Sequence, residues 1–275
     1  WAVLFILVPL VFVAYYAFTD VNFQFTLENI QRFFTATSSI VQDDGSSAEV
    51  RTYLLIFWRS LKLAIISTLV CLVLAYPFSY LISRTFKSKK TLLYMMIIIP
   101  FWTNSLVRIY GWRTFLSATG QLNTFLMTIG ATSEPIQFLY NQACTVFGMA
   151  YDMFPFMVLP LYAAIEKLDE SQIEASFDLG ANMLATIFKV VIPQTMSGIF
   201  SGCIMVFIPS LGAFYIADIL GGGNADVIGN LIQRQFQSAN DWPLGAALSI
   251  LLIAITLLLV KIYQKAGGDM ESLGV

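Results

Sequence analysis

Histidine is absent from the 275-residue chain. Its absence removes His-based metal sites, His general bases and His proton relays together. Cysteine is scarce. Cys71, Cys144 and Cys203 lie far apart in apolar surroundings, without pairing or ligand spacing, and read as small buried hydrophobes. No G-x-x-x-x-G-K-[ST] occurs and no glycine is followed by lysine, so the chain binds no nucleotide through a P-loop. Gly221-Gly222-Gly223 reads as the turn that ends an apolar segment, not as a phosphate loop. No nucleophile–base set is visible, and a membrane enzyme is set aside with it. Charge is also sparse, at 12% of residues against 57% hydrophobic, with a net charge of −2. With a mean hydropathy of +0.74, that composition lies outside the range of soluble domains.

What fills the chain is long apolar runs. Uncharged stretches cover 1–19, 63–83, 91–107, 135–165 (broken only by Asp152), 190–217 and 242–260. Each is near or above the ~18–20 residues that cross a bilayer as a helix. None alternates in polarity as barrel strands do. The expected fold is an all-α polytopic membrane protein with six transmembrane helices, at about 1–19, 53–83, 91–114, 138–165, 188–219 and 243–265. Residues 1–265 form one transmembrane domain, and 266–275 a disordered or linker-like tail. In the polar loop 20–52, TLENIQRFFT predicts a short amphipathic helix and TSSIVQDDGSSAE a flexible stretch. Arg59 and Lys62 are expected at the interface or snorkelling to it. The opening Trp1, already inside an apolar run, suggests residues before it. The 1–19 run lacks the basic region and small-residue site of a cleaved signal.

Orientation follows from the basic residues. Arg84, Lys87, Lys89, Lys90, Lys167, Lys189, Lys261 and Lys265 fall on one side, against Arg32, Arg51, Arg113 and Arg234 on the other. Eight against four places the 84–90 loop and both termini in the cytoplasm.

The cytoplasmic loop 166–187, with its continuation to residue 193, is a charged island. It carries Glu166, Lys167, Asp169, Glu170, Glu174, Asp178 and Lys189 between two apolar segments. Ser171-x-x-Glu174 reads as a capping box, with Asp169 a competing N-cap. Gly180 is placed to end the short helix, because glycine accepts the left-handed conformation that reverses a chain. A second helix is expected from about Asn182 into the membrane, with Pro193 near its first turns. Glu174-Ala175-Ser176, then Gly180, then Val190-x-Ile192-Pro193 resembles the cytoplasmic loop signature of ABC-importer permeases. That signature reads E-A-A, three residues, G, nine residues, I-x-L-P; Ser176, Val190 and Ile192 depart from it conservatively. The resemblance implies a type I ABC importer permease fold in the bacterial inner membrane. It also implies that Glu174, Ala175, Ser176, Gly180 and Pro193 couple to an ATPase subunit that holds the ATP and Mg. The other reading of the stretch is an ordinary connecting loop with a chance Glu-Ala pair.

Charged residues within spans are costly and face a pathway or a partner. Arg108, in PFWTNSLVRIYGW, is either a gating or substrate-positioning residue, or a structural one. The structural role would pair it with a carboxylate such as Asp218 or with freed carbonyls near Pro100. Asp152, three residues before Pro155, is either a cation ligand or the partner of a helix dipole or an arginine. Asp218, at the outer end of a span, is interfacial or faces the path. Trp102, Tyr110 and Tyr215 lie at similar depth, where an aromatic face stacked on a desolvated cation contributes about 0.5–2 kcal/mol. PFWTNSLVRIYGW, YDMFPFMVLPLYAAIEKLD and PSLGAFYIADILGGG are similar to the spermidine/putrescine branch of these permeases, over about residues 55–260. This likeness implies a homologous second permease, two ATPase subunits and an external polyamine-binding protein as partners. The external segments carry Asp20, Glu28, Asp43, Asp44, Glu49, Glu134, Asp226 and Asp241 against four arginines, an acidic mouth suited to a polycation. The rival cargo is another small organic ion. The rival class is an ion-coupled secondary transporter, which would have more spans and an internal repeat.

Overall fold

The structure is a computed structural model that describes residues 1, 3–20, 24–41, 47–85, 87–223 and 225–265. The tail 266–275 and the centre of the expected flexible stretch, 42–46, lie outside the described residues. A π-helical start, Val3–Leu7, continues as α1 (Val8–Ala17), an apolar helix with no polar face. The expected amphipathic helix is α2 (Glu28–Thr35), which buries Asn29 and Phe33 one turn apart. The flexible stretch is instead partly strand. β1 (Thr37–Val41) pairs antiparallel with β2 (Ser47–Arg51), with Thr37 opposite Arg51 and Val41 opposite Ser47. Thr37, Ile40, Val41 and Val50 are β-branched, and they favour the extended form that the loop's polarity obscured.

The body of the molecule is three crossing helices. They are α3 (Thr52–Ser83), α7 (Gln142–Glu166) and the later part of a broken segment, α11 (Met196–Gly212). Close approach between α7 and α11 rests on missing side chains. A Cβ on Gly198 would sit 2.5 Å from Ala164 Cβ, and one on Gly202 would sit 2.7 Å from the Met157 sulfur. Around this contact Met157, Val158, Leu161 and Val206 are buried with Cys71, Ala75 and Ile82 of α3. The cysteines behave as read: Cys71 and Cys144 are buried, Cys203 is partly so, and all three are free thiols. A second packing group forms on α14 (Trp242–Lys265), where α1 and α2 lie against it together with α13 (Ile228–Gln237).

Two expected spans are not straight. The 91–114 segment is α4 (Lys87–Phe101) followed by α5 (Ser105–Leu116) and α6 (Gln121–Thr128), with an 86° bend at 102–104. Its cause is local. Thr103 Oγ1 bonds back to the Pro100 carbonyl at 2.7 Å, and Asn104 caps a new helix by accepting from Leu106 N–H at 2.8 Å. The 188–219 segment begins as α9 (Met183–Thr186), passes through a π-turn at Ile187–Val191 and α10 (Ile192–Gln194), then bends by 72° into α11. Pro193 has no N–H to give the preceding turn, where the π-turn lies, and at the bend itself the Thr195 hydroxyl donates back to Val191 O at 2.9 Å and Ile192 O at 3.2 Å. After α11 the chain continues in α12 (Phe214–Ile216) and a π-turn, Ala217–Gly221, before α13. Among the described residues three helices are long and apolar enough to cross a membrane, or up to five if each bent pair is one span; Leu4–Ala17 is a shorter apolar helix.

Candidate functional site

Two sites stand out, one just beyond the C-terminal end of α7 and one near its middle. The first is the helix α8 (Glu170–Asp178). Asp169 wins the competition for its N-cap, accepting from Ser171 N–H at 3.0 Å, so the expected capping box from Ser171 does not form. That bond and the Ser171 hydroxyl hold the exposed Asp169 carboxyl below the usual aspartate value. Gly180 ends the helix at φ +82. Its N–H bonds to Phe177 O at 2.8 Å and Ala181 N–H bonds to Ser176 O at 3.0 Å, the paired closure of a Schellman motif. Ser176 is the buried member of the signature, and its hydroxyl lies 2.8 Å from that of Thr186. Asn182 caps α9 by accepting from Ala185 N–H at 2.8 Å. Glu174 and Ala175 are exposed. Leu179, 88% exposed, Met183, Leu184 and Phe188 are exposed apolar side chains that follow them in the sequence.

This loop is tied by charge to the end of α3 and the start of α4. Arg84 pairs with Glu170 at 2.7 Å and Lys90 pairs with Glu166 at 2.9 Å. Sequence reading counted these basic residues for orientation and missed that two of them hold the loop. The bend after α10 is held too, since Thr195 Oγ1 lies 2.9 Å from Tyr76 OH on α3.

The second site sits at the break between α4 and α5. Asp152, only 5% exposed, receives three donors: Arg108 Nη2 at 2.7 Å, Ser105 Oγ at 2.6 Å and Tyr215 OH at 2.6 Å. Arg108 also donates to Thr103 O at 3.0 Å and Pro100 O at 3.4 Å, and its guanidinium lies 4.4 Å from the Phe101 ring centre. Both halves of the structural reading of Arg108 are present, with Asp152 in place of Asp218 as the carboxylate. Asp152 is the partner of an arginine. Ser105 was not singled out from sequence, although it stands one turn before Arg108 on the helix that Asn104 starts. Trp102, inside the break, and Tyr110, on α5, are exposed. Asp218 is elsewhere, its Oδ1 accepting from Asn230 Nδ2 at 2.6 Å. Among the described residues no group of three or more potential metal ligands occurs.

The fold is that of an ABC importer permease. It matches the bacterial alginate ABC transporter in complex with an alginate pentasaccharide-bound periplasmic protein with a TM-score of 0.75 at 17% identity, over 95% of this chain and 88% of that one. The MetNI methionine ABC transporter in an inward-facing conformation matches at 0.55 and 17% identity, over 78% and 93%. The chain belongs to the family of binding-protein-dependent transport system inner membrane components, whose profile matches residues 73–266. It is accordingly a multi-pass inner-membrane transport protein. Among its relatives is the spermidine/putrescine transport system permease protein PotB of Haemophilus influenzae, 38% identical over 97% of this chain and 90% of that one. PotB of Escherichia coli K12 is 39% identical over 97% and 94%.

Proposed function

We propose that this chain is the permease subunit of an ATP-driven polyamine importer, with spermidine and putrescine as cargo. The observation that carries the reading is likeness over nearly the whole chain, at 38–39% identity, to permeases named for those two amines. The full complex would hold a homologous second permease, two ATPase subunits with ATP and Mg, and an external polyamine-binding protein. Taking the three long helices, the two bent pairs and Leu4–Ala17 as one span each gives six, with both termini cytoplasmic. Residues 166–187 are then the cytoplasmic coupling loop of a domain covering 1–265.

In this reading α8 is the lever. Its Asp169 cap, its Gly180 closure and the exposed apolar side chains of Leu179, Leu184 and Phe188 give a rigid, sticky knob for a groove on the ATPase. Glu174 and Ala175 present its outer face, Ser176 locks it to α9, and Pro193 sets the bend that turns its motion into α11. On the path side, Trp102, Tyr110 and Asp218 offer aromatic walls and a carboxylate, while Asp152 and Tyr215 reach the path through Arg108, which stands at its edge.

The test is affinity purification of the tagged chain from its own membrane, followed by uptake into proteoliposomes. The expected result is recovery of an ATPase and a homologous permease, and spermidine uptake that requires ATP. Recovery of the chain alone, with uptake driven by an ion gradient, would replace this reading with a secondary transporter.

A further inference from the structure

Asp152 has all its charge spent on Arg108, Ser105 and Tyr215, so it has none to offer a passing cation. Asp218 differs. It is the second residue of the π-turn after α12, and its orientation is fixed by Asn230, which is 2% exposed. Asn230 Nδ2 donates to Asp218 Oδ1 at 2.6 Å and to Phe214 O at 3.1 Å, and its Oδ1 accepts from Val227 N–H at 2.9 Å. The amide is fully used, and the carboxylate is held by one oxygen. Among the described residues the other oxygen accepts no hydrogen bond.

Beside it lies a polar pocket of about 180 Å³ lined by Asp218, Asn230, Gln233, Arg234, Gln237 and Ser238. The guanidinium of Arg234 is paired with Asp226, so one carboxylate is left uncompensated. Gln233 donates Nε2 to Gln237 Oε1 at 3.1 Å, one turn along α13, which leaves the Gln233 carbonyl as an acceptor. An ammonium group carries three donors and no acceptor. A carboxylate oxygen, an amide oxygen and the Ser238 hydroxyl are the complementary set. The volume, roughly that of six waters at ~30 Å³ each, has room for an aminoalkyl arm.

We propose that this pocket is a subsite for one terminal ammonium group of the polyamine. Asp218 is its counter-charge, Gln233 and Ser238 its neutral acceptors, and Asn230 the positioning residue. The proposal rests on the polyamine reading above and adds the place where the first charge is taken up at the outer end. One arm is held here while the remaining ammonium groups stay free to move on.

The experiment uses the assembled transporter in proteoliposomes, with Gln237→Cys as reporter and the wild-type complex as control for Cys71, Cys144 and Cys203. The reporter is reacted with cationic and anionic methanethiosulfonates of equal size. The cationic reagent should react on the order of tenfold faster, the low end of what a charged cleft gives, and millimolar spermidine should slow it severalfold. Adding Asp218→Asn should abolish the preference and the protection. Adding Gln233→Lys, which leaves Asp218 intact and supplies a tethered cation, should do the same. Equal rates without protection, in vesicles whose wild-type complex still takes up spermidine, would overturn the subsite alone. A wild-type complex that takes up no spermidine would overturn the polyamine reading itself.

Discussion

At the scale of the residue, the Arg108–Asp152 pair is the largest commitment the chain makes inside the membrane. The two side chains are 10% and 5% exposed. Removing one partner of so buried a pair leaves the other uncompensated and costs about 3–5 kcal/mol, whereas replacing both by apolar groups is far less harmful. Arg108→Met and Asp152→Leu should therefore each lower the thermal stability of the detergent-solubilised protein strongly, and the double variant should regain much of the loss. Additive losses would mean that the pair is not coupled. Asp169 gives a pH-dependent counterpart. Its carboxyl is depressed in the folded state, so its contribution is present above the ordinary aspartate value of ~3.9 and is lost as pH falls through the lower folded value. Protection of the Ser171 amide, its exchange rate relative to the intrinsic rate at the same pH, should hold at neutral pH and fall only in strong acid, and Asp169→Ala should remove the dependence. The sequence announced Arg108 and Asp152 as expensive residues without saying that they met. They are 44 positions apart, and their pairing depends on the bend at 102–104.

At the scale of the element, the bends and the close α7–α11 contact carry the architecture. Sequence reading placed every long apolar segment near its helix, because a bilayer demands length and apolarity that composition displays directly. It missed the breaks at 102–104 and 195, because the polar dips at Thr103-Asn104-Ser105 and Gln194-Thr195 are too short to register over the length of a span. The clues were those dips, with Pro100 and Pro193 beside them. Cap residues fared better: Gly180 and Asn182 do what their chemistry predicts, and only the choice of Asp169 over Ser171 needed the structure. Gly198 and Gly202 were not legible, since a glycine in an apolar run looks the same whether or not another helix touches it. Gly198→Val should force α11 away from Ala164 and Pro160. Overpacking of this kind costs about 1–3 kcal/mol, which should appear as a lowered midpoint in a thermal aggregation assay. An unchanged midpoint would show that the helices separate freely there.

At the scale of the whole molecule, the proposed coupling runs from α8 through α9–α11 and the bend held by Thr195 and Tyr76. Cysteines introduced at 170–180 should label only from the cytoplasmic side, and those near Gln237 only from outside; the reverse would invert the topology. The central claim is that α8 transmits ATP hydrolysis into transport. The most direct measurement is ATP-driven spermidine uptake by the reconstituted full complex, beside its ATPase rate, for wild type, Glu174→Ala and Gly180→Val. Gly180 sits at φ +82, which a β-branched residue resists, so Gly180→Val should distort the end of the lever while leaving the spans inserted. Both variants should insert, uptake should fall severalfold, and uptake per ATP hydrolysed should fall with it. Wild-type uptake and an unchanged ratio in both variants would contradict the claim.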